Sequence, residues 1–262
     1  MKKIFSKCYL ALLMVFFYLP ILYTIVFSFN DSKSLTVFKG FSLRWYERMF
    51  ESRPMMEAIW YTFLIAILAT VISTIVGTIA AIGLSKSKKV MQLVMDQVNN
   101  LCIMNPEIVT AIGLLMLFSS FKVLEKGFMT LLLAHIMFCT PYVMLSVSPK
   151  LRSLDPNLAE AALDLGATPW QALIKVIVPQ ILPGIVSGSL IAFTMSIDDF
   201  VISYFVTGNG VSNISILVYS MSKRINPSIN AISTLVIVII TVVLILINVI
   251  PMLRKKKGGV MQ

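Results

Sequence analysis

Residues 59–84 read IWYTFLIAILATVISTIVGTIAAIGL, an apolar run without a charge, followed at once by Ser85-Lys86-Ser87-Lys88-Lys89. A helix rises 1.5 Å per residue and the hydrocarbon core of a bilayer is about 30 Å thick, so about 20 such residues cross it. Working outward, comparable blocks occupy residues 8–29, 101–121, 128–147, 181–205 and 231–253. The pattern predicts an all-α, polytopic membrane protein with six transmembrane helices.

Composition agrees. Of 262 residues, 58% are hydrophobic and 13% charged, a balance foreign to a soluble globule. The formal net charge of +10 does not indicate nucleic acid, because the basic residues flank the apolar blocks. Cys8, Cys102 and Cys139 lie in or beside apolar stretches without CxxC or Cys/His spacing, and read as packing or lipid-facing residues with no metal or redox role.

Six spans put both termini on one side, and basic residues select the cytoplasm. On that side fall Lys2, Lys3, Lys7, Lys86, Lys88, Lys89, Lys150, Arg152, Lys175, Arg254, Lys255, Lys256 and Lys257. The opposite loops carry Lys33, Lys39, Arg44, Arg48, Arg53, Lys122, Lys126, Lys223 and Arg224, diluted by Asp31, Glu47, Glu51, Glu57 and Glu125. Both ends are therefore expected in the cytoplasm. The first span is read as a retained anchor: its apolar run exceeds a signal-peptide core, and Phe27-Ser28-Phe29-Asn30 is no small-residue cleavage site. The basic tail, residues 254–262, secures the last helix and attracts anionic lipid.

Three parts follow: residues 1–58 with the first helix and an outer loop, a core of five helices over 59–253, and the tail. In the outer loop Trp45, Tyr46, Met49 and Phe50 share one helical face, with Ser42 placed to cap the helix. The expectation is an amphipathic helix on the outer membrane surface, with Trp45 and Tyr46 at headgroup depth. Ser73, Gly77 and Ala81, and likewise Gly184 and Gly188, recur at four-residue spacing, which lets helix backbones approach closely.

The longest inward loop, 149–180, is expected to form a rigid elbow of two short helices. Asp155-Pro156 is a cap followed by a first-turn proline, and Gly166 ends that helix. Thr168 and Gln171 form a capping box for the second, which Pro179 is expected to stop. Leu158, Ala161, Ala162 and Leu165 give the first helix an apolar face suited either to a groove on another protein or to its own bundle.

Glu160-Ala161-Ala162, with Gly166 six residues after the glutamate and then Val176, Val178 and Pro179, resembles the EAA signature of inner-membrane permeases of binding-protein-dependent ABC importers. Val176 and Val178 stand where that family usually has Ile and Leu. The resemblance implies the type I importer permease (MetI-like) fold, a bacterial inner-membrane location, and a coupling helix seated in a cytoplasmic ATPase dimer, a role carried onto Glu160, Ala161, Ala162, Asp164 and Gly166. It also implies a homologous second permease and an extracytoplasmic binding protein as partners. The chain has no G-x-x-x-x-G-K-[ST] cradle; it is expected to be no enzyme and to bind no cofactor, with ATP and Mg used by the partner.

Glu107, Asp198 and Asp199 fall within spans. An ionised carboxylate at mid-bilayer costs about 2.5 to 3.5 kcal/mol on insertion scales, so these acids face a wet cavity, a partner or the bundle interior. On a continuous helix Asp198 and Asp199 lie about 100° apart; Asp199 would join Ser196 and Ser203, and Asp198 would join Thr194 and Phe205. Either could line a route while the other bonds locally. Adjacent carboxylates repel, so one should hold a proton unless donors or cations are near. A cationic cargo would satisfy them, with Tyr204 adding cation–π attraction. Glu107 follows Pro106, which is expected to bend the third span. The lone His135 reads as a hydrogen-bonded packing residue ahead of a proton relay.

The run from Ser196 to Phe205, with the segment from Phe41 to Phe50, resembles the second permease subunits of spermidine/putrescine importers. That implies a polyamine route contacted by Asp198, Asp199, Ser196, Glu107, Trp45 and Tyr204. An importer permease for another small solute is the alternative. An intramembrane aspartyl protease, needing two carboxylates meeting across helices, and an inert scaffold are the readings from other classes.

Overall fold

The computed structural model describes residues 2–34, 36–120, 125–208, 210–222 and 226–258, with side chains described only within 5–245. Phe121, Lys122, Lys223, Arg224 and the side chains of Lys2, Lys3 and the basic tail lie outside the described residues. The described chain is built from α1 (Lys2–Ser28), α2 (Arg44–Glu51), α3 (Arg53–Ser85), α4 (Lys89–Met104), α5 (Glu107–Ser120), α6 (Phe128–Arg152), α7 (Leu158–Asp164), α8 (Pro169–Ala172), α9 (Val178–Asp198), α10 (Val201–Val206), α11 (Ile214–Ser222) and α12 (Ser228–Gly258). Among the described residues, five helical stretches are long and apolar enough to cross a membrane, or six if the bent pair α4 and α5 is one span.

That pair corrects the expected third span. The helix starts at Lys89, well before residue 101, and α4 and α5 meet at 102°. Pro106 is the cause: it disfavours helical backbone in the residue before it, and Asn105 is extended at φ −68°, ψ 135°. The earlier start also brings Asp96 into the helical pair, where it is ion-paired with Arg152 at the end of α6.

A second correction concerns the elbow. The chain leaves α8 through a π-helical stretch, Leu173–Ile177, and runs directly into α9, so Pro179 lies in the first turn of a long helix instead of stopping a short one. A first-turn proline lacks only an N–H that would be unpaired anyway, and the wider π turn carries the chain past its ring. Asp155 does not cap α7 from the position expected; its Oδ1 accepts the Asn157 N–H at 2.9 Å in a turn, and the helix begins at Leu158. Gly166 does end α7, at φ +85°. The Ala167 N–H bonds the Ala162 carbonyl at 3.1 Å and the Gly166 N–H bonds that of Leu163 at 2.9 Å, the paired closure that a left-handed residue permits. Thr168 and Gln171 form both bonds of the capping box.

Two compact units divide the chain: residues 1–59 with 216–262, and residues 60–215. In the first, α12 packs against α1 and α2. Trp45 is buried, its indole N–H donating to the Asn30 carbonyl at 2.6 Å, with the Arg44 and Arg48 guanidiniums over its ring. It is thus an internal anchor of the outer loop, where a headgroup-level residue was expected. Ser42 Oγ accepts the Arg44 N–H at 3.2 Å and helps start α2.

In the second unit α9 packs along α6, and α10 against α5 and α6. The small residues sit where backbones touch. A Cβ on Gly77 would lie 2.9 Å from Val143 Cβ, and one on Gly188 would lie 3.1 Å from Val143 Cα, whereas nothing lies within 4 Å of one on Gly83. Two apolar clusters result, one around Ile65, Leu114, Leu131 and Ile202, the other around Ala81, Val143, Val147 and Ile181. Gly77→Ala should therefore destabilise the chain by about 1–3 kcal/mol through overpacking, while Gly83→Ala, gaining helix propensity worth about 1 kcal/mol, should leave it unchanged or more stable. Thermal unfolding midpoints of the two variants in detergent check this, and equal shifts would contradict the packing.

Candidate functional site: a carboxylate-lined cavity

The break at Asn105-Pro106 opens a space inside the second unit. A cavity of about 420 Å³ lies between the α4–α5 joint, the middle of α6 and the end of α9, lined by Cys102, Ile103, Asn105, Pro106, Glu107, Thr110, Phe138, Tyr142, Thr194, Met195, Asp198, Asp199 and Ile202. All three acids singled out in the spans reach it, and among the described residues no lysine or arginine lines it. Asn105 Nδ2 donates to Thr110 Oγ1 at 2.9 Å, tying the break to the first turns of α5.

The acids are placed by different means. Glu107 is the first residue of α5 and exposed to the cavity. Asp198 is the last residue of α9, also exposed; a helix C-terminus carries about half a unit of negative charge, so its dipole adds to the carboxylate and favours a cation there. Asp199 is different: its backbone is extended at φ −63°, ψ 122°, its side chain is buried, and the fifth span restarts as α10 two residues later. The continuous helix assumed for the pair is thereby corrected. Asp199 Oδ1 accepts the Ile202 N–H at 3.2 Å, and Oδ2 accepts both the Ser203 N–H at 2.8 Å and the Ser203 hydroxyl at 2.7 Å. Two adjacent carboxylates are tolerated because one is held by three internal donors while the other faces the cavity.

Behind Asp199 lies a buried polar network. His135 Nδ1 is 2.7 Å from Ser196 Oγ, and Nε2 is 3.0 Å from Ser203 Oγ. Ser203 has one hydroxyl hydrogen and gives it to Asp199, so its oxygen accepts from His135 Nε2–H and, at 2.8 Å, from Asn213 Nδ2. His135 Nδ1 then accepts the Ser196 hydroxyl hydrogen, which specifies one neutral tautomer. His135 Nε2 stands 3.5 Å from Asp199 Oδ2. The histidine is thus the hydrogen-bonded packing residue expected, but its partners are 61 and 68 positions away in sequence, with nothing local to announce them. Among the described residues no group of three His, Cys, Asp or Glu is arranged to hold a metal.

Residues 73–253 match the family of binding-protein-dependent transport system inner membrane components. The chain belongs to that family. The permease is 38% identical over 234 residues to the putrescine transport system permease protein PotI of Escherichia coli K12, covering 85% of this chain and 82% of that one. It is 36% identical over 241 residues to the spermidine/putrescine transport system permease protein PotC of Haemophilus influenzae, covering 91% and 93%. A chain of a bacterial ABC transporter that imports the acidic polysaccharide alginate superposes with a TM-score of 0.72 at 15% identity over 95% of this permease and 96% of that chain, a likeness of fold alone. The permease is a transporter subunit of the ABC importer type and not an enzyme.

Of the remaining residues assigned to the route, Ser196 is buried against His135, and Tyr204 packs beside Phe200 and Phe205. Neither is among the cavity's lining residues, and Trp45 belongs to the other compact unit. Tyr142, Phe138 and Thr110 were missed by sequence reasoning; Thr110 lies one turn after Glu107 on α5, and only the fold brings Phe138 and Tyr142 of α6 to the acids. In the elbow, Glu160, Ala161, Asp164 and Gly166 are exposed and Ala162 half-buried, alongside the exposed Leu163, Leu165 and Trp170.

Removing Asp199 leaves Ser203 and two N–H groups without their acceptor. Asp199→Ala should destabilise the permease by about 1–3 kcal/mol, whereas Asp198→Asn, on an exposed side chain, should stay within about 0.5 kcal/mol. Thermal midpoints of the purified variants decide between this order and its reverse.

Proposed function

We propose that this permease is one of two membrane subunits of an ATP-driven importer for the polyamines spermidine and putrescine, and that Glu107 and Asp198 hold ammonium groups of the cargo as it crosses. The observation that carries the reading is the cavity itself: three carboxyl-bearing residues, the aromatic side chains of Phe138 and Tyr142, and, among the described residues, no lysine or arginine in its lining. Carboxylates and ring faces together attract ammonium groups and repel anions. The relatives named for putrescine and spermidine transport support the same cargo class.

In this reading the route runs against a homologous second permease, cargo arrives from an extracytoplasmic polyamine-binding protein, and a cytoplasmic ATPase dimer supplies the energy from ATP and Mg. Both termini lie in the cytoplasm of a bacterial inner membrane. Glu160, Ala161, Ala162, Asp164 and Gly166 carry the contact with the ATPase, and Leu165, 90% exposed, and Trp170, 67% exposed, supply apolar surface beside them for a protein groove. Asp199 serves the route from behind, as the cap that starts α10. Trp45 holds the outer loop to the first helix, and Ser196 and Tyr204 flank the acid pair without lining the cavity. Inward and outward opening alternate as the elbow is moved by nucleotide-driven closure of the ATPases.

Asp198→Asn and Glu107→Gln should each lower ATP-dependent spermidine uptake in cells at least tenfold at unchanged membrane levels; full uptake by both would remove the cavity from the route. Cys102 offers an independent probe, being in the lining. With Cys8 replaced by Ser, a cationic thiol reagent should modify Cys102 faster than an anionic one of equal size, and spermidine should slow it; a preference for the anion would exclude a cation route. Glu160→Arg should abolish uptake while leaving Cys102 modification intact, since it acts on the ATPase contact alone.

A further inference from the structure

In the first compact unit the residues that the sequence marks as interfacial are turned inward, and others take the exposed surface. Trp45 and Met49 of α2 are buried, and the Tyr46 hydroxyl stands 2.8 Å from Ser28 Oγ at the end of α1. Val37, Phe38, Phe41 and Leu43, from the segment between α1 and α2, are exposed instead, Phe41 at 73%. The buried Asn30 holds that segment in shape. Its Nδ2 donates to the Ser34 carbonyl at 3.2 Å and the Val37 carbonyl at 2.8 Å, and its Oδ1 accepts the Ser32 N–H at 3.3 Å and the Lys39 N–H at 2.9 Å. The Asp31 N–H donates to the Gly40 carbonyl at 3.0 Å, and the Ser42 N–H to that of Phe29 at 2.7 Å. An apolar tip ordered in this way loses little conformational entropy when it is covered.

The rings also set the depth of that tip. The apolar stretch of α1, Phe5–Ser28, has 24 residues, a length of about 36 Å against a hydrocarbon core of about 30 Å. Its ends therefore fall at headgroup level. Phe38 meets Phe27 edge to face with ring centroids 6.1 Å apart, and Phe41 stacks on Phe29 at 5.2 Å. Both rings thus lie beside the end of the span. Asp31, Lys33, Lys39 and Arg44 are exposed in the same segment. Exposed rings among charges of both signs at a span's end suit a zwitterionic headgroup layer, whereas a soluble protein would need a tip that projects into the water.

We propose that the tip formed by Val37, Phe38, Phe41 and Leu43 is a phospholipid-binding surface, and that this tip, in place of Trp45 and Tyr46, anchors the first unit at the membrane interface. The inference does not depend on the cargo. Its test places the photoreactive residue benzoylphenylalanine at position 38 or 41 of the permease, in cells carrying the complete transporter; it differs little in shape from the phenylalanine it replaces. Phe16 and Tyr18 are the reference positions, both exposed on α1 and about 200° apart around it. After irradiation and digestion, the mass of the modified peptide distinguishes a phospholipid adduct from a protein cross-link. Positions 38 and 41 should each give a phospholipid adduct at no less than about a third of the higher reference yield, as rings at headgroup depth require, and as their main product. A lower yield at either position places the tip in water, and a cross-link to another subunit or to a binding protein as the main product makes it a protein interface; each result overturns the inference. If one labelled chain fails to accumulate, the other decides.

Discussion

A carboxylate in an apolar span has to find donors, a cation or water, because the alternative is a charge in hydrocarbon. In this permease that requirement organises the second compact unit. Asp199 finds donors in the two backbone N–H groups and the hydroxyl that follow it, and can do so only because α9 ends one residue earlier. Asp198 and Glu107 find no donor among the described residues and stand exposed in a cavity. The helix interruptions at Asn105-Pro106 and at Asp199-Phe200 are thus parts of one arrangement: the first makes room for the charges and the second divides them.

The interruptions themselves are tolerated because close backbone packing holds the surrounding helices. Lipid is as apolar as leucine, so helices in a membrane gain little from burying apolar surface against each other and rely on contact area instead. Gly77, Gly184 and Gly188 supply that contact along α6, where an added methyl would meet backbone or Cβ atoms at about 3 Å. The same α6 presents His135, Phe138 and Tyr142, so one helix carries the packing ridge, part of the buried network and two aromatic residues of the cavity lining.

Legibility differed from element to element for physical reasons. Apolar blocks announced the spans because hydrocarbon thickness is a constraint on length alone. Gly166 and the Thr168–Gln171 box were readable because caps are local chemistry between residues three or four apart. The run-on from the elbow into α9 was not, because a proline that usually ends a helix is harmless in a first turn, and only the π-helical stretch before it makes Pro179 a first-turn residue. Periodicity gave the wrong geometry for Asp198 and Asp199, since it assumes an unbroken helix. Trp45 looked interfacial from its neighbours and is buried by a bond to Asn30, fifteen positions earlier.

The sequence by itself determined the membrane class, the apolar blocks, the closures at Gly166 and at Thr168–Gln171, the family and the three acids worth attention, all of which rest on composition and short-range spacing. The tertiary structure alone decided that Glu107, Asp198 and Asp199 meet at one cavity, the first two exposed and the third buried against its own donors, and that His135 meets Ser196 and Ser203 behind them. The reason is distance along the chain: hydrogen bonds between α6 and the α9–α10 break join residues more than sixty positions apart, and no local pattern encodes which buried polar groups will meet.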